Sequence, residues 1–477
     1  MRNNTIQRMV VNEMRRMYDA GNADRLTFSW DSNSYTADQV SYAQLEMLRA
    51  RSRHQARNND YVIRLIQILK DNIVGAQGFK LRSKVVDFNG KPDRPARQAI
   101  ERAWTQFVDD ANLVELEQLL IDGLATDGEA LCYLRVDRRG AIFPTLIDPV
   151  RLDINFNQKQ ENGNVVRMGI EYDSNLNPIA YHINDDYQSH HPSVGAVQES
   201  QKRTRIPAFQ MLHLFRKNFI GQKRGTPWIA PSLGRLFQLG EAEKAALTAF
   251  RIGAAKMGFF RSDDEEEYTG DGESGDMMLN AEAGTFENIG SLKFEAFDPT
   301  YPSGDYAPFV ERILKGVSSG LGVDYHSLGN DLSGVNYSSA RVGMLETREY
   351  FKTIQGWLIH SFLKPLFKLW LDTSLLYQRI KINQRPLSRG LEYYLPAQFV
   401  GRRWEWVDPK NEALAKKTQY DMRTVSLSQI IRERGDEPED VFREIAEENE
   451  LMAQLGISAQ QVMSKLEAED EPKEDTE

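Results

Sequence analysis

The stretch YAPFVERILKGVSSGLGVDYHSLGNDLSGVN, residues 306 to 336, decides how this chain is read. Up to Leu321 its apolar side chains Phe309, Val310, Ile313, Leu314 and Val317 return every three or four residues, the spacing of one helix face. The period is lost across LGVDYHSLGNDLSGVN and returns at about residue 338 as a long helix notched at Pro365. Upstream, another helix is predicted over about 232 to 257. Its alanines, among them Ala242, Ala245, Ala246 and Ala249, suit close packing, while Glu241, Lys244, Thr248 and Arg251 form one polar stripe, ordinarily a solvated face. Between the two helices, residues 261 to 300 are glycine-rich and acidic, with Asp263, Asp264, Glu265, Glu266 and Glu267 in a row, the composition of a loop. Two helices therefore flank one excursion, and a second break follows directly.

Farther toward the N-terminus, helices are predicted over 41 to 74, about 95 to 108 and about 113 to 124. The first carries Arg49, Arg51, Arg53 and Arg57, read as a solvated face or intersubunit ion pairs ahead of phosphate contacts. From 129 to 215 the chain breaks into the runs EALCYLRV, AIFPTLI, RLDINF, VVRMGIEY, PIAYHI and MLHLF, parted by Asp, Asn, Gly and Pro. This predicts an antiparallel β-rich domain, and the missing strand-helix alternation speaks against a doubly wound sheet. A Gly/Pro connector, IGQKRGTPWIAP, occupies 220 to 231. Toward the C-terminus, a β-like stretch runs to about Trp406. Asp408 before Pro409, and Ser426 with Gln429, then announce two helix starts. The closing EAEDEPKEDTE is too charged to fold alone. The fold class is α+β.

The 477 residues, 41% hydrophobic and 27% charged, are enough for about three domains with real cores. The net charge of -10 excludes a simple basic nucleic-acid binder, yet it is concentrated: from Glu433 onward sixteen acids face four bases. The one cysteine, Cys132, excludes an intramolecular disulfide and a cysteine-rich metal site, fits a reducing compartment, and reads as a buried small hydrophobe in a strand. The start MRNNTIQRMVV has no apolar signal core, and the longest uncharged apolar stretch, 353 to 363, is too short for a bilayer. A cytosolic-type chain is expected.

Familiar motifs fail on context. GDGESG at 270 to 275 satisfies a dinucleotide pattern, but its acidic flanks would repel a pyrophosphate. GVSSG at 316 to 320 would make Ser318 the nucleophile of a serine hydrolase. What precedes it, VERILK, is helical, and Asp324 and His326 follow too closely, so small residues at a helix bend are the better account. The pair His190 and His191 lacks a third metal ligand, the acidic run at 263 to 267 lacks the glycine of a calcium loop, and no P-loop occurs. Trp404 and Trp406 behind Arg402 and Arg403 allow stacking on single-stranded bases, though packing at a sheet edge is the plainer reading. No catalytic constellation, cofactor or metal site assembles.

Five stretches in order resemble the lambda family of tailed-phage portal proteins: LRARSRHQARNNDYVIRLIQILKDNIVG, IPAFQMLHLFRKNFIGQKRGTPWIAPSL, YPSGDYAPFVERILKGVSSGLGVDYHSL, NYSSAR and WEWVDPKNEALA. The resemblance spans about residues 15 to 455 and implies a portal-type α+β fold. Its parts would be a mixed wing at 1 to 230 with a return at 338 to 403, and stem helices at 231 to 257 and 305 to 323. A clip at 258 to 304, a tunnel loop at 324 to 337, a helical crown at 404 to 465 and a disordered acidic tail at 466 to 477 complete it. It implies a non-enzymatic dodecameric ring at one capsid vertex of the virion, made in the host cytoplasm. Double-stranded DNA would pass through that ring during packaging and ejection. The implied partners are the terminase large subunit, a head-tail connector or adaptor, the major capsid protein and scaffold; no membrane is implied. Asn330, Asp331 and Asn336 of the tunnel loop would face DNA, with Lys244, Arg251 or Lys315 lining the stem. Asp263 to Glu267 would offer a docking surface on the clip. A head-tail adaptor ring is the neighbouring alternative, against which the long stem and clip argue.

Overall fold

The computed structural model describes residues 33–161, 163–184, 203–254, 258–261, 293–296, 306–333, 337–404, 409–434 and 438–455. The expected helix at 41 to 74 is two, α1 (Ala37–Asn58) and α2 (Asp60–Ile73). The cause is Asn59, whose backbone is extended (φ -120°, ψ 116°) and whose side chain accepts from the N–H groups of Tyr61 and Val62. It ends one helix and caps the next. Strand β1 (Lys80–Ser83) and helices α3 (Arg94–Asp110) and α4 (Leu113–Thr126) follow. Asp93 caps α3 by accepting from Ala96 N–H.

The β-rich region is antiparallel, as its alternation predicts. Strands β2 (Ala130–Val136) and β3 (Ile142–Ile147) form a three-stranded sheet in the order β3-β2-β9, with β9 at Met211–Leu214. A five-stranded sheet runs β4 (Gln158–Lys159), β5 (Val165–Arg167), β6 (Ile170–Tyr172), β7 (Pro178–Asn184) and β8 (Arg203–Pro207). The run VVRMGIEY is a tight hairpin, not one strand: Met168 (φ 51°) and Gly169 (φ 82°) turn it. RLDINF forms no strand: its first residue ends the 3-10 turn Pro149–Arg151, and Leu152 makes one isolated bridge to Ile183. RTRIP was not expected as a strand; β8 pairs with β7 along the sheet edge. Cys132 is fully buried in β2, and burial pushes its thiol up to about 12.

The connector at 220 to 231 is held by a buried ionic cluster. Glu129 is fully buried; Arg224 reaches its carboxylate at 2.6 Å, Arg49 at 2.7 Å and His213 at 3.0 Å, and the Gly225 N–H donates at 2.8 Å. Burial alone would raise the Glu129 pKa, but Arg224, Arg49 and His213 hold it well below the usual range. Arg53 forks onto Asp127 at 2.6 Å and Asp148 at 2.6 Å. Arg49 and Arg53 are thus neither solvated nor intersubunit: they face into the chain and tie α1 to the sheet. The connector passes so closely that a Cβ on Gly128 would lie 2.0 Å from the Thr226 carbonyl carbon, at a glycine whose φ is already +84°.

Helices α5 (Leu233–Ala254) and α6 (Tyr306–Leu321), the short α7 (Tyr325–Gly329) and the long α8 (Tyr337–Leu358) follow. Between α5 and α6, only the strand pair β10 (Gly258–Arg261) and β11 (Lys293–Ala296) is described. A π turn, Ile359–Leu363, joins α8 to α9 (Lys364–Leu376). It absorbs Pro365, which has no N–H to donate and whose ring crowds the preceding turn. After the β12 (Lys381–Ile382) and β13 (Arg385–Pro386) hairpin and helix α10 (Leu391–Tyr394), β14 (Ala397–Val400) pairs antiparallel with β1. One core runs through α2, α3, α4, β2, the facing sides of α5 and α6, α8, α9 and β14, with Trp104 edge-on to Phe367, Trp370 and Phe399. Helices α11 (Pro409–Asp421), α12 (Leu427–Arg434) and α13 (Pro438–Gln454) close the described chain. Ser426 Oγ caps α12 through Gln429 N–H as expected, although the Gln429 side chain turns to Glu433.

Candidate functional site

Helices α5 and α6 are packed at one end and open at the other. Leu233, Leu236 and Leu239 of α5 are buried, as are Leu314, Val317 and Leu321 of α6. Beyond Ala246 the α5 side chains leave the core, and Leu247 and Phe250 are 63% and 59% exposed. Gly316 and Gly320 of GVSSG lie along the packed side. A Cβ on Gly316 would meet the Arg235 guanidinium at 2.5 Å, and one on Gly320 would meet Ser232 Oγ at 3.6 Å. The small residues make room for a neighbouring helix within the helix body, not at a bend as expected. Ser318 is 2% exposed with its Oγ unpartnered, inside a helix and with no strand leading into it. That placement removes the serine-hydrolase reading, since a nucleophile must reach both substrate and base.

At the end of α6, Gly322 (φ +69°) takes the left-handed turn and Val323 N–H returns to the Ser318 carbonyl at 3.2 Å, a Schellman closure. The segment expected to be irregular from 324 is instead helical over α7, which Asp324 caps by accepting from Ser327 N–H at 3.0 Å. Asn330 (φ 50°) ends it and is exposed. Asp331 is clasped: its carboxylate accepts from Ser333 Oγ at 2.6 Å, Ser333 N–H at 2.9 Å and the Tyr325 hydroxyl at 3.0 Å, while its carbonyl lies 2.7 Å from His326 Nδ1. The Ser333 hydroxyl and N–H, then Tyr325, lower the Asp331 pKa. Burial and the Asp331 carboxylate push Tyr325 up to about 12. Sequence spacing alone gave no sign of this clasp. Asn336 lies outside the described residues.

Lys244 pairs with Glu241 at 2.8 Å and Lys315 with Glu311 at 2.5 Å, each within its own helix and largely exposed. Lys315 also stands 5.3 Å over the Tyr325 ring, which ties α6 to α7. Glu243 accepts from Tyr61 at 3.0 Å, bracing α5 against α2. Arg251 is exposed. Asp263 to Glu267, the GDGESG pattern, His190 and His191 lie outside the described residues. Among the described residues no cluster of three His, Cys, Asp or Glu could hold a metal ion, and no helix is long and apolar enough to cross a membrane. Trp404 is packed: its Nε1 donates to Asn72 at 2.8 Å and its ring stacks on Phe351 at 6.3 Å.

The family model for phage portal proteins of the lambda family matches residues 23–355. The chain belongs to the lambda family of phage portal proteins. It is 32% identical over 461 residues to a probable portal protein of Halomonas phage phiHAP-1, covering 93% of this chain and 88% of that one. It is 21% identical over 471 residues to portal protein B of Escherichia phage lambda, covering 87% and 85%. Among solved structures, a chain from the virion of a native gene transfer agent particle matches with a TM-score of 0.42 at 11% identity, covering 85% of this chain and all of that one. A chain from the neck of an empty particle of that kind, computed with C6 symmetry, gives 0.43 at 11%, covering 83% and 94%. Portal proteins are structural components of the phage, and the chain is one of them.

Proposed function

We propose that twelve copies of this chain close into a ring at one capsid vertex, through which double-stranded DNA is packaged and later ejected. The observation that carries this reading is the α5–α6 pair. It is anchored in the core at one end, opens out at the other with Leu247 and Phe250 uncovered, and is followed by a glycine-closed turn into a clasped loop. In a ring, each such feature repeats in every copy. Asn330, Asp331 and Asn336 would then line the narrowest point, and Lys244, Arg251 and Lys315 the stem. The partial pairing of Lys244 and Lys315 with carboxylates of their own helices leaves a belt weak enough for a duplex to slide, since phosphate contacts strengthen with each added cation. The segment at 258 to 304, with Asp263 to Glu267, would meet terminase and then the head-tail connector. Major capsid protein and scaffold would surround the wing, and the crown would stand inside the capsid.

Mass photometry with negative-stain microscopy on the purified chain tests the reading. A holed ring of about twelve copies, roughly 650 kDa from the 54.6 kDa chain, is expected. Single chains that persist after co-expression with scaffold and capsid protein would overturn it. Lys244→Ala with Arg251→Ala tests the belt within an intact ring: packaging with unchanged salt sensitivity would remove those residues from the channel wall.

A further inference from the structure

Turn tips ordinarily carry polar side chains, but the turn after β9 carries Phe219 and Ile220. Phe219 is 69% exposed and Ile220 entirely so. The turn is not loose. Asn218 and Phe219 donate their N–H groups to Gln222 Oε1 at 2.8 and 3.3 Å, and Gln222 Nε2 donates to the Arg224 carbonyl at 2.8 Å. Gln222 is buried, Arg224 is the guanidinium that lies on Glu129, and Gly221 (φ +81°) completes the bend. A turn whose base is fixed to the buried ionic cluster thus presents two large apolar side chains to the outside, the preorganisation that suits an anchor in a contact.

A cavity of about 470 Å³ lies between α3, β3 and the end of α9, with Phe107, Ile142, Trp370 and Ile380 among its walls. Its charged residues are engaged within the chain. Asp110 accepts from Gln106 at 2.8 Å, Arg379 donates to the Arg139 carbonyl at 2.9 Å, and the Arg135 guanidinium lies 5.4 Å over the Phe143 ring. What the cavity offers an outside group is therefore its apolar wall. Turn and cavity stand at diagonally opposite corners of one sheet. In the order β3-β2-β9 the outer strands are β9, which leads into the turn, and β3, which lines the cavity. Leu214, at the turn end, pairs with Ala130 at the start of β2, whereas Ile142 and Phe143, at the cavity, pair with Val136 and Arg135 at its end. One chain cannot join its own two corners, but a copy related by rotation can, and the contact repeats until a ring closes with no anchor left over. We propose that Phe219 and Ile220 of each copy seat in the cavity between α3, β3 and α9 of the next copy. This contact rests on the ring proposed above and adds a named joint to it. Both halves of the joint are on the one chain, so a second copy is favoured over any other protein as the occupant.

Crosslinking of the full chain through placed cysteines tests the joint. Cys132 is the chain's one cysteine and is fully buried, so Ile220→Cys on the turn and Gln106→Cys, an exposed position on the cavity wall, supply the accessible thiols. A short bismaleimide applied to rings of the double variant is expected to give a ladder of covalent multimers on a denaturing gel. Rings mixed from the two single variants should stop at dimers, and either single variant alone should stay uncrosslinked. Intact rings of the double variant without a ladder would overturn the proposal, as would dimers from Ile220→Cys alone, which would bring like turns together. Phe219→Ser with Ile220→Ser gives a second readout. Both side chains lie outside the core, so melting of the single chain should hold while the concentration needed for half the chains to enter rings rises about tenfold or more. Normal melting with assembly at the wild-type concentration would overturn the joint. Rings missing from the unmodified chain would instead overturn the ring reading, and the joint with it.

Discussion

Two buried carboxylates show how differently a single residue can be housed. Glu129 is surrounded by Arg49, Arg224 and His213, so its charge is compensated on every side. Removing one partner leaves buried polar groups without the bonds it supplied and upsets the charge balance among those that remain. Arg224→Met is therefore expected to cost about 3–5 kcal/mol, measurable by urea denaturation. Because the folded carboxylate has a depressed pKa, its contribution is complete above the unfolded value, about 4.3, and is lost as pH falls through the folded one. Stability that stays flat down to about pH 3 would contradict this assignment. Glu117 is the opposite case. It is 1% exposed, Oε2 has no partner, and burial raises its pKa well above the usual range against the weaker pull of the Phe79 N–H. The folded state keeps a proton that the unfolded chain gives up, so stability declines as pH rises above about 4.3, by about 1 kcal/mol per pH unit until the folded group ionises. Glu117→Gln copies the protonated form. It should raise the melting temperature at pH 7 and leave it unchanged at pH 4; no gain at pH 7 would show that Glu117 is ionised in the fold.

At the scale of elements, what the sequence displayed was what local periodicity can display. The α6 helix, the α5 helix, the hydrophobic runs of β2, β3 and β7, and the capping at Ser426 follow from spacings within a few residues of one another. The Asn59 break was hidden because helical periodicity continues on both sides of it. β8 was hidden because two of the five residues of RTRIP are charged, as a strand at a sheet edge can be. The pairing of β1 with β14 and of Arg49 with Glu129 joins residues far apart in the chain, and no local pattern encodes such partners. In the candidate site, the placement of Lys244 and Lys315 on helices was legible, whereas the clasp on Asp331 was not, since it needs the α7 helix to bring Tyr325 and His326 beside the loop. The closure between α6 and α7 gives a further expectation. At Gly322 a Cβ would both occupy a left-handed backbone and lie 3.1 Å from the Tyr350 ring. Gly322→Ala should destabilise by at least about 1 kcal/mol in chemical denaturation, with the loop after α7 more open to proteolysis. An unchanged protein would mean that α6 can end without the Schellman turn.

The whole molecule leaves apolar surface where a lone chain gains nothing from it. Phe237, Leu247 and Phe250 of α5, Phe309 of α6 and Val342 of α8 are all exposed, although the same helices bury other apolar side chains in the common core. Scattered single exposures are ordinary, but several large side chains on neighbouring long helices call for a covering partner. Closed cyclic assembly supplies one without any second protein, since each copy covers the next and no copy is left at an end. In the proposed ring the acidic C-terminal region would repeat as well, concentrating negative charge that is modest in one chain. If this is the role of the exposed α5 face, Leu247→Asp together with Phe250→Asp should act on assembly and not on folding. Both side chains lie outside the core, so the melting temperature of the single chain should hold, while mass photometry shifts from rings to species near 54.6 kDa. A charge placed in a desolvated contact between copies cannot be compensated there, whereas the same charge on a free surface is solvated at little cost. Rings of unchanged size from the double variant would place the subunit contact elsewhere and leave this face to a different partner.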